Sequence, residues 1–159
     1  MASADGRWMV VYNGEIYNFP ELRQSLALLG HHFRGGSDTE VLLAAIQEWG
    51  VERVLQKLNG MFAFALWDRK DRVLTLARDR FGEKPLFYGL AKDGSLLFAS
   101  ELKALRAYQP EGFPVDRDAL TLFFRHSYVP APRSIYQGVF KLRPGYFLQC
   151  TAAQLARAL

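Results

Sequence analysis

Hydrophobic and polar positions along the chain change period several times, and each change predicts an element. Trp8 to Tyr12 (WMVVY) is a short apolar, β-branched run and reads as a strand. It ends at Asn13-Gly14, where both residues tolerate positive φ, so the pattern predicts a hairpin turn with Glu15 to Tyr17 returning. Leu22, Leu26 and Leu29 then recur at helical spacing until Gly30, with Asn18 as the expected N-cap and Glu21 three residues on. A second helix follows the same grammar. Ser37 is its cap, Glu40 stands at N3, Val41, Leu42, Ala45, Ile46 and Trp49 share one side, and Gly50 ends it.

From Met61 to Trp67 (MFAFALW) the apolar run is continuous and bounded by Asn59-Gly60 and Asp68, which predicts a buried strand. Arg72 to Ala77 alternates as its partner would. Leu86 to Leu90 and Leu96 to Ala99 flank Lys92-Asp93-Gly94 and predict a hairpin. Ser100 is the expected cap of a short helix through Leu105. Asp116 caps another, with Val115 and Leu120 spaced as a hydrophobic staple. Ser134 to Phe140 and Tyr146 to Gln149 read as closing strands around the turn Arg143-Pro144-Gly145. Antiparallel hairpins with helices before and after them make the class α+β.

Composition narrows this picture. The sequence has 159 residues, half of them apolar and 14% aromatic, so it suits one domain with a sizeable core and excludes a disordered segment. No stretch is apolar and long enough to span a bilayer, and no secretory leader pattern opens the chain. With Cys150 the one cysteine, no internal disulfide framework forms, and a reducing, cytoplasmic compartment is expected. The net charge of +4 arises in the second half. Residues 1–80 carry ten basic and ten acidic side chains, whereas 81–159 carry ten and six. The excess is scattered without a block or motif, so neither a nucleic-acid nor a membrane partner is expected.

The residues that could carry chemistry are few. Adjacent His31 and His32 face opposite ways in an extended segment and do not form a metal pair, so no metal site is expected. Gly82-Glu83-Lys84 lacks the second glycine and the hydroxyl residue of a phosphate loop, and Pro85 removes an N–H. Arg78, Asp79, Arg80, Glu83 and Lys84 read instead as a charged turn with local ion pairs. Taken alone, Asn13-Gly14 is a turn signal, Asp38 an acidic residue in a first helical turn, and Cys150 a small apolar filler.

Four ordered segments change those readings: Tyr12–Asn18 (YNGEIYN), Ser37–Val41 (SDTEV), Asn59–Ala65 (NGMFAFA) and Arg78–Leu86 (RDRFGEKPL). Together they resemble the glutaminase domain of glutamine-hydrolysing asparagine synthetase, a class II glutamine amidotransferase of the N-terminal-nucleophile hydrolase fold. The resemblance covers nearly all of residues 7–149 and includes Arg143-Pro144-Gly145-Tyr146-Phe147. It implies a four-layer αββα sandwich in which two antiparallel sheets lie between helices. It also implies a glutaminase domain over 1–150, with 151–159 as a tail or the start of a linker to a synthetase domain.

In that family an N-terminal cysteine thiolate attacks the glutamine amide, with its own α-amino group as base. A glutamyl thioester forms, ammonia leaves, and water releases glutamate. The ammonia passes to a second domain, where ATP with Mg activates aspartate. The resemblance assigns Asn13 (side-chain amide) and Gly14 (backbone N–H) to the oxyanion hole. It assigns Glu15 and Asp38 to holding the amino-acid end of L-glutamine. It implies no cofactor in this domain. Departures from the pattern are as informative. The chain starts Met1-Ala2-Ser3 rather than with a cysteine, and the arginine that holds the substrate carboxylate is missing. The sequence is therefore expected to be an N-terminally incomplete domain, inactive alone, with uncovered apolar surface that favours a homodimer. Two alternatives remain open at this point: a relative acting on another carboxylate, and a non-catalytic binding or regulatory module.

Overall fold

The computed structural model describes residues 1–151, 153 and 154. Strand β1 (Trp8–Ile16) pairs antiparallel with β2 (Gly60–Asp68), β2 with β3 (Val73–Arg78), and β3 with β7 (Phe147–Thr151). A second sheet has β4 (Phe87–Leu90) between β5 (Leu96–Ala99) and β6 (Val139–Lys141), again antiparallel. Helices α1 (Phe19–Leu28), α2 (Asp38–Trp49) and α3 (Val51–Lys57) connect β1 to β2, while α4 (Leu102–Tyr108) and α5 (Arg117–His126) connect β5 to β6.

The β2 run explains the layering. Its large residues Phe62, Phe64 and Leu66 pack with Leu22, Leu26, Leu42, Ile46 and Val54 beneath the helices. Its alternate residues Ala63 and Ala65 face the other way and pack with Leu76, Leu86 and Leu142 between the sheets. A strand covered on both faces loses the usual alternation of polarity and keeps only an alternation of size. The layers thus run helices, four-stranded sheet, three-stranded sheet, with α4 against β5.

Several expectations need correction. Asn13-Gly14 is not a hairpin turn: β1 runs straight through it, and Glu15 continues the strand opposite Met61. Asn18 holds the N-cap position of α1, but its side chain does not cap the helix. Its side chain accepts from Asn59 N–H (2.8 Å) and donates to Lys57 C=O (2.9 Å), tying the helix start to the loop that feeds β2. Ser100 does not cap α4, whose N-cap is Glu101. The closing strands do not pair around Arg143-Pro144-Gly145, because β6 joins the second sheet and β7 the first. Helix α3 had no signal distinct from α2. Gly50, at φ 77°, ends one and begins the other.

The second helix behaves as its pattern predicts: Ser37 Oγ accepts from Glu40 N–H at 3.2 Å. Asp116 likewise caps α5 by accepting from Asp118 and Ala119. Strand β7 runs through Thr151, the first residue of the expected 151–159 tail. The remainder of the expected 151–159 tail lies largely outside the described residues.

Candidate functional site

Backbone parity along β1 decides what its outer edge offers. Successive residues of a strand direct their N–H and C=O to opposite sides. Val10 exchanges bonds with Met1 (2.8 and 2.9 Å), so even-numbered residues face away from β2. Odd-numbered ones serve the β2 ladder, down to Tyr17 N–H on Asn59 C=O. The Gly14 N–H therefore points outward beside that of Ile16. The Ile16 N–H is taken by Asp38 Oδ2 at 3.0 Å.

Asp38 sits at the N-terminus of α2, where the dipole favours a carboxylate. Its Oδ2 also accepts from Tyr12 OH at 2.7 Å, and Thr39 Oγ1 donates to Oδ1 at 3.3 Å. Burial, reinforced by that bond and the nearby negative charge, pushes the Tyr12 phenol far up, so it stays protonated and donates. Gly14 and Asp38 are thus brought to one edge.

Asn13 lies on the face of β1 that turns toward the second sheet. It is exposed, and its Nδ2 donates to Ser100 Oγ at 3.1 Å. Asn13 and Ser100 line a cleft of about 110 Å³ walled by Val11, Ala63, Leu86 and Phe98. The larger hollows, near 420–450 Å³, lie elsewhere and include none of Asn13, Gly14, Glu15 or Asp38. Glu15 is exposed on the same face as Asn13. Tyr17 next to it is pushed up first by burial, then by the charges of Glu83, Glu15 and Asp79, which marks a negative local potential.

Gly14 has φ 150°, and a Cβ built there would strike Met61 O and come within 2.6 Å of Phe62 Cα. Only glycine lets β1 lie this close to β2.

The Arg78–Lys84 turn is held by backbone bonds, which corrects the expected ion pairs. Asp79, 1% exposed, accepts from the N–H groups of Phe62, Phe81, Glu83 and Lys84 at 3.0–3.2 Å. Burial pushes its carboxyl up, but the four donors together outweigh burial and hold it below the usual range. Arg78 donates to the carbonyls of Lys84, Leu142 and Gly82, and Arg80 to those of Leu58 and Gln56. A buried carboxylate and two guanidiniums thereby fix the loop without contacting one another's charge.

Cys150 lies in β7, and burial pushes its thiol up. Three strand steps separate β7 from β1, about 14 Å. Cys150 also aligns, through Leu74 and Trp67, with Met9, four residues or about 13 Å along from Asn13. It cannot reach the Asn13–Gly14 donors. His31 contacts Glu48 at 2.9 Å, and among the described residues no cluster of three or more His, Cys, Asp or Glu could hold a metal ion. No helix among them is long and apolar enough to cross a membrane. Tyr12 and Ser100 are the two site residues that the sequence pattern did not suggest.

Residues 1–158 match the family model described as a glutamine amidotransferase domain. Asparagine synthetase [glutamine-hydrolyzing] 1 of Bacillus subtilis is 43% identical over 141 residues, 89% of this chain and 22% of that protein. The chain therefore spans less than a quarter of that relative's length. Among solved structures, the glutamine phosphoribosylpyrophosphate amidotransferase of B. subtilis superposes on 66% of the chain with TM-score 0.57 and 29% identity. That match covers 24% of the neighbour. An allosteric regulatory enzyme of purine biosynthesis superposes on 92% of this chain and 27% of its own, with TM-score 0.65 and 24% identity, a likeness of fold.

Proposed function

The chain belongs to the glutamine amidotransferase domain family, and from that premise we propose that it forms the glutamine-binding part of a longer, glutamine-hydrolysing asparagine synthetase. Its substrate is L-glutamine, and its partner is a synthetase domain that takes the released ammonia to activated aspartate. The observation that carries the reading is the β1 edge, with an outward N–H at Gly14 and the Asp38 carboxylate two residues further on. Outward N–H groups two residues apart stand about 7 Å from one another. In glutamine the ammonium and the carboxamide carbon are separated by four bonds of about 1.5 Å each. An extended substrate thus fits with its ammonium on Asp38 and its amide at Gly14.

In this reading a thiolate adds to the glutamine carboxamide carbon. The oxygen gains negative charge between Gly14 N–H and Asn13 Nδ2, the nitrogen takes a proton and leaves as ammonia, and the acyl group stays as a thioester. Water then releases glutamate and restores the thiol. Glu15, exposed on the same face as Asn13, also holds the amino-acid end in this reading. The attacking thiol comes from outside these residues, since Cys150 is far from the donors. No cofactor is assigned to this domain; ATP with Mg would act in the synthetase part.

Incubation of the 159-residue chain with glutamine should release no glutamate above blank, and turnover abolished by Cys150→Ala would overturn the reading. In the longer protein, Asn13→Ala should lower the glutaminase kcat by about 10²–10³. A near-normal rate would show that Asn13 is not an oxyanion donor.

A further inference from the structure

We propose that Ser100 is a positioning residue for the Asn13 carboxamide. This rests on the reading of Asn13 as an oxyanion donor and adds to it a residue from the other sheet. The terminal torsion of asparagine is broad, so an exposed Asn13 has no intrinsic reason to hold one amide plane. A donor must nevertheless lie within about 2.7–3.1 Å of the developing oxyanion. Among the described residues, the side-chain hydrogen bond of Asn13 goes to Ser100 Oγ at 3.1 Å.

Ser100 is well suited to this. It directly follows β5, whose last residue Ala99 is paired with Phe87, so its backbone is anchored in the second sheet. Its hydroxyl is not engaged as a helix cap, because Glu101 holds the N-cap position of α4. The cleft that both residues line has apolar walls in Ala63, Ala65, Leu86 and Phe98, which strengthens a polar contact at its rim. A carboxamide has two N–H groups. With one directed at Ser100, the plane is set and the second remains available to substrate. The contact joins positions 87 residues apart and links the two sheets at the reaction centre.

Two measurements test this. In the 159-residue chain, nuclear magnetic resonance of the Asn13 side-chain amide should show two well-separated protons with slowed exchange. Ser100→Ala should collapse them to the values of free asparagine, and Ser100→Thr should keep them apart, with the rest of the spectrum unchanged. An Asn13 amide already free in the unsubstituted chain, or unaffected by Ser100→Ala, overturns the proposal. In the longer protein, Ser100→Ala should lower kcat for glutamine hydrolysis about 10- to 100-fold. The KM should stay within about two-fold. Synthesis from free ammonia should be unchanged, and Ser100→Thr should recover the loss. In an Asn13→Ala background, Ser100→Ala should add nothing. If Asn13→Ala is itself harmless, the oxyanion reading fails. If Asn13→Ala is damaging and Ser100→Ala silent, only the present proposal fails.

Discussion

Replacing Gly14 by alanine isolates the steric condition on which the β1 edge depends. A methyl group there meets Met61 O and lies 2.6 Å from Phe62 Cα, and both obstacles are backbone atoms of the central strand that cannot rotate away. Restoring an ordinary contact of 3.4 Å at Phe62 Cα moves β1 outward by about 0.8 Å at the least, and the nearer Met61 O demands more. That displacement stretches the flanking pairs Asn13↔Ala63 and Glu15↔Met61, which face one another through ladder hydrogen bonds, beyond useful length. Losing two to four such bonds costs about 1 kcal/mol each, and alanine at φ 150° adds about 1–3 kcal/mol. The total is on the order of 3–7 kcal/mol, against about 5–15 kcal/mol for a whole domain. Gly112→Ala is the control. That glycine also has positive φ (78°), but nothing lies within 4 Å of its Cβ position, so only the conformational cost of about 1–2 kcal/mol applies. Urea unfolding followed by the fluorescence of Trp8, Trp49 and Trp67 measures both variants. Equal costs for the two would refute the claim that close approach to β2 is what reserves position 14 for glycine.

The other predictions concern charge. Asp79→Asn leaves one carbonyl oxygen and a donor NH₂ facing four N–H groups, so about 3 kcal/mol of stability should go. Because the folded carboxyl is depressed, its contribution is present above the ordinary carboxylate range and is lost as pH falls toward the folded value. The variant should accordingly lose less stability than the native chain between about pH 6 and about pH 3; equal acid sensitivity in urea titrations would contradict the account. In the longer protein, Asp38→Asn should raise the KM for glutamine about 10- to 100-fold with a smaller change in kcat. Steady-state kinetics with an unaltered KM would remove Asp38 from substrate binding.

What the sequence revealed and what it concealed follow from the range of each interaction. Helix α2 was readable because Ser37, the apolar stripe and Gly50 are all local signals, and the β4–β5 hairpin because its turn lies between its own strands. Asn13-Gly14 misled for the same reason. The dipeptide is a turn signal within a short window, but the force that keeps it extended comes from Met61 and Phe62, nearly fifty residues away. Asn18 and Ser100 each looked like caps, yet each is recruited by a distant partner, Asn59 in one case and Asn13 in the other. The charges of Arg78–Lys84 suggested ion pairs because side chains are visible in a sequence, whereas the backbone groups that satisfy them are not. The roles of Asn13, Gly14, Glu15 and Asp38 came from resemblance. The fold brings Gly14 and Asp38 to one strand edge and hydrogen-bonds Asn13 to Ser100, just past β5.

One donor at that edge is main chain, and this alters how the site can decay. A side-chain donor such as Asn13 is lost by a single substitution, but the Gly14 N–H survives every replacement of its own residue except proline. Apart from proline, mutation can therefore remove it only indirectly, by pushing the strand out of line. The selective constraint on position 14 is exerted by the backbone of its neighbour, so chemical function and strand packing share one requirement. Drift that preserved the packing would carry the donor along, even in a descendant that no longer used it.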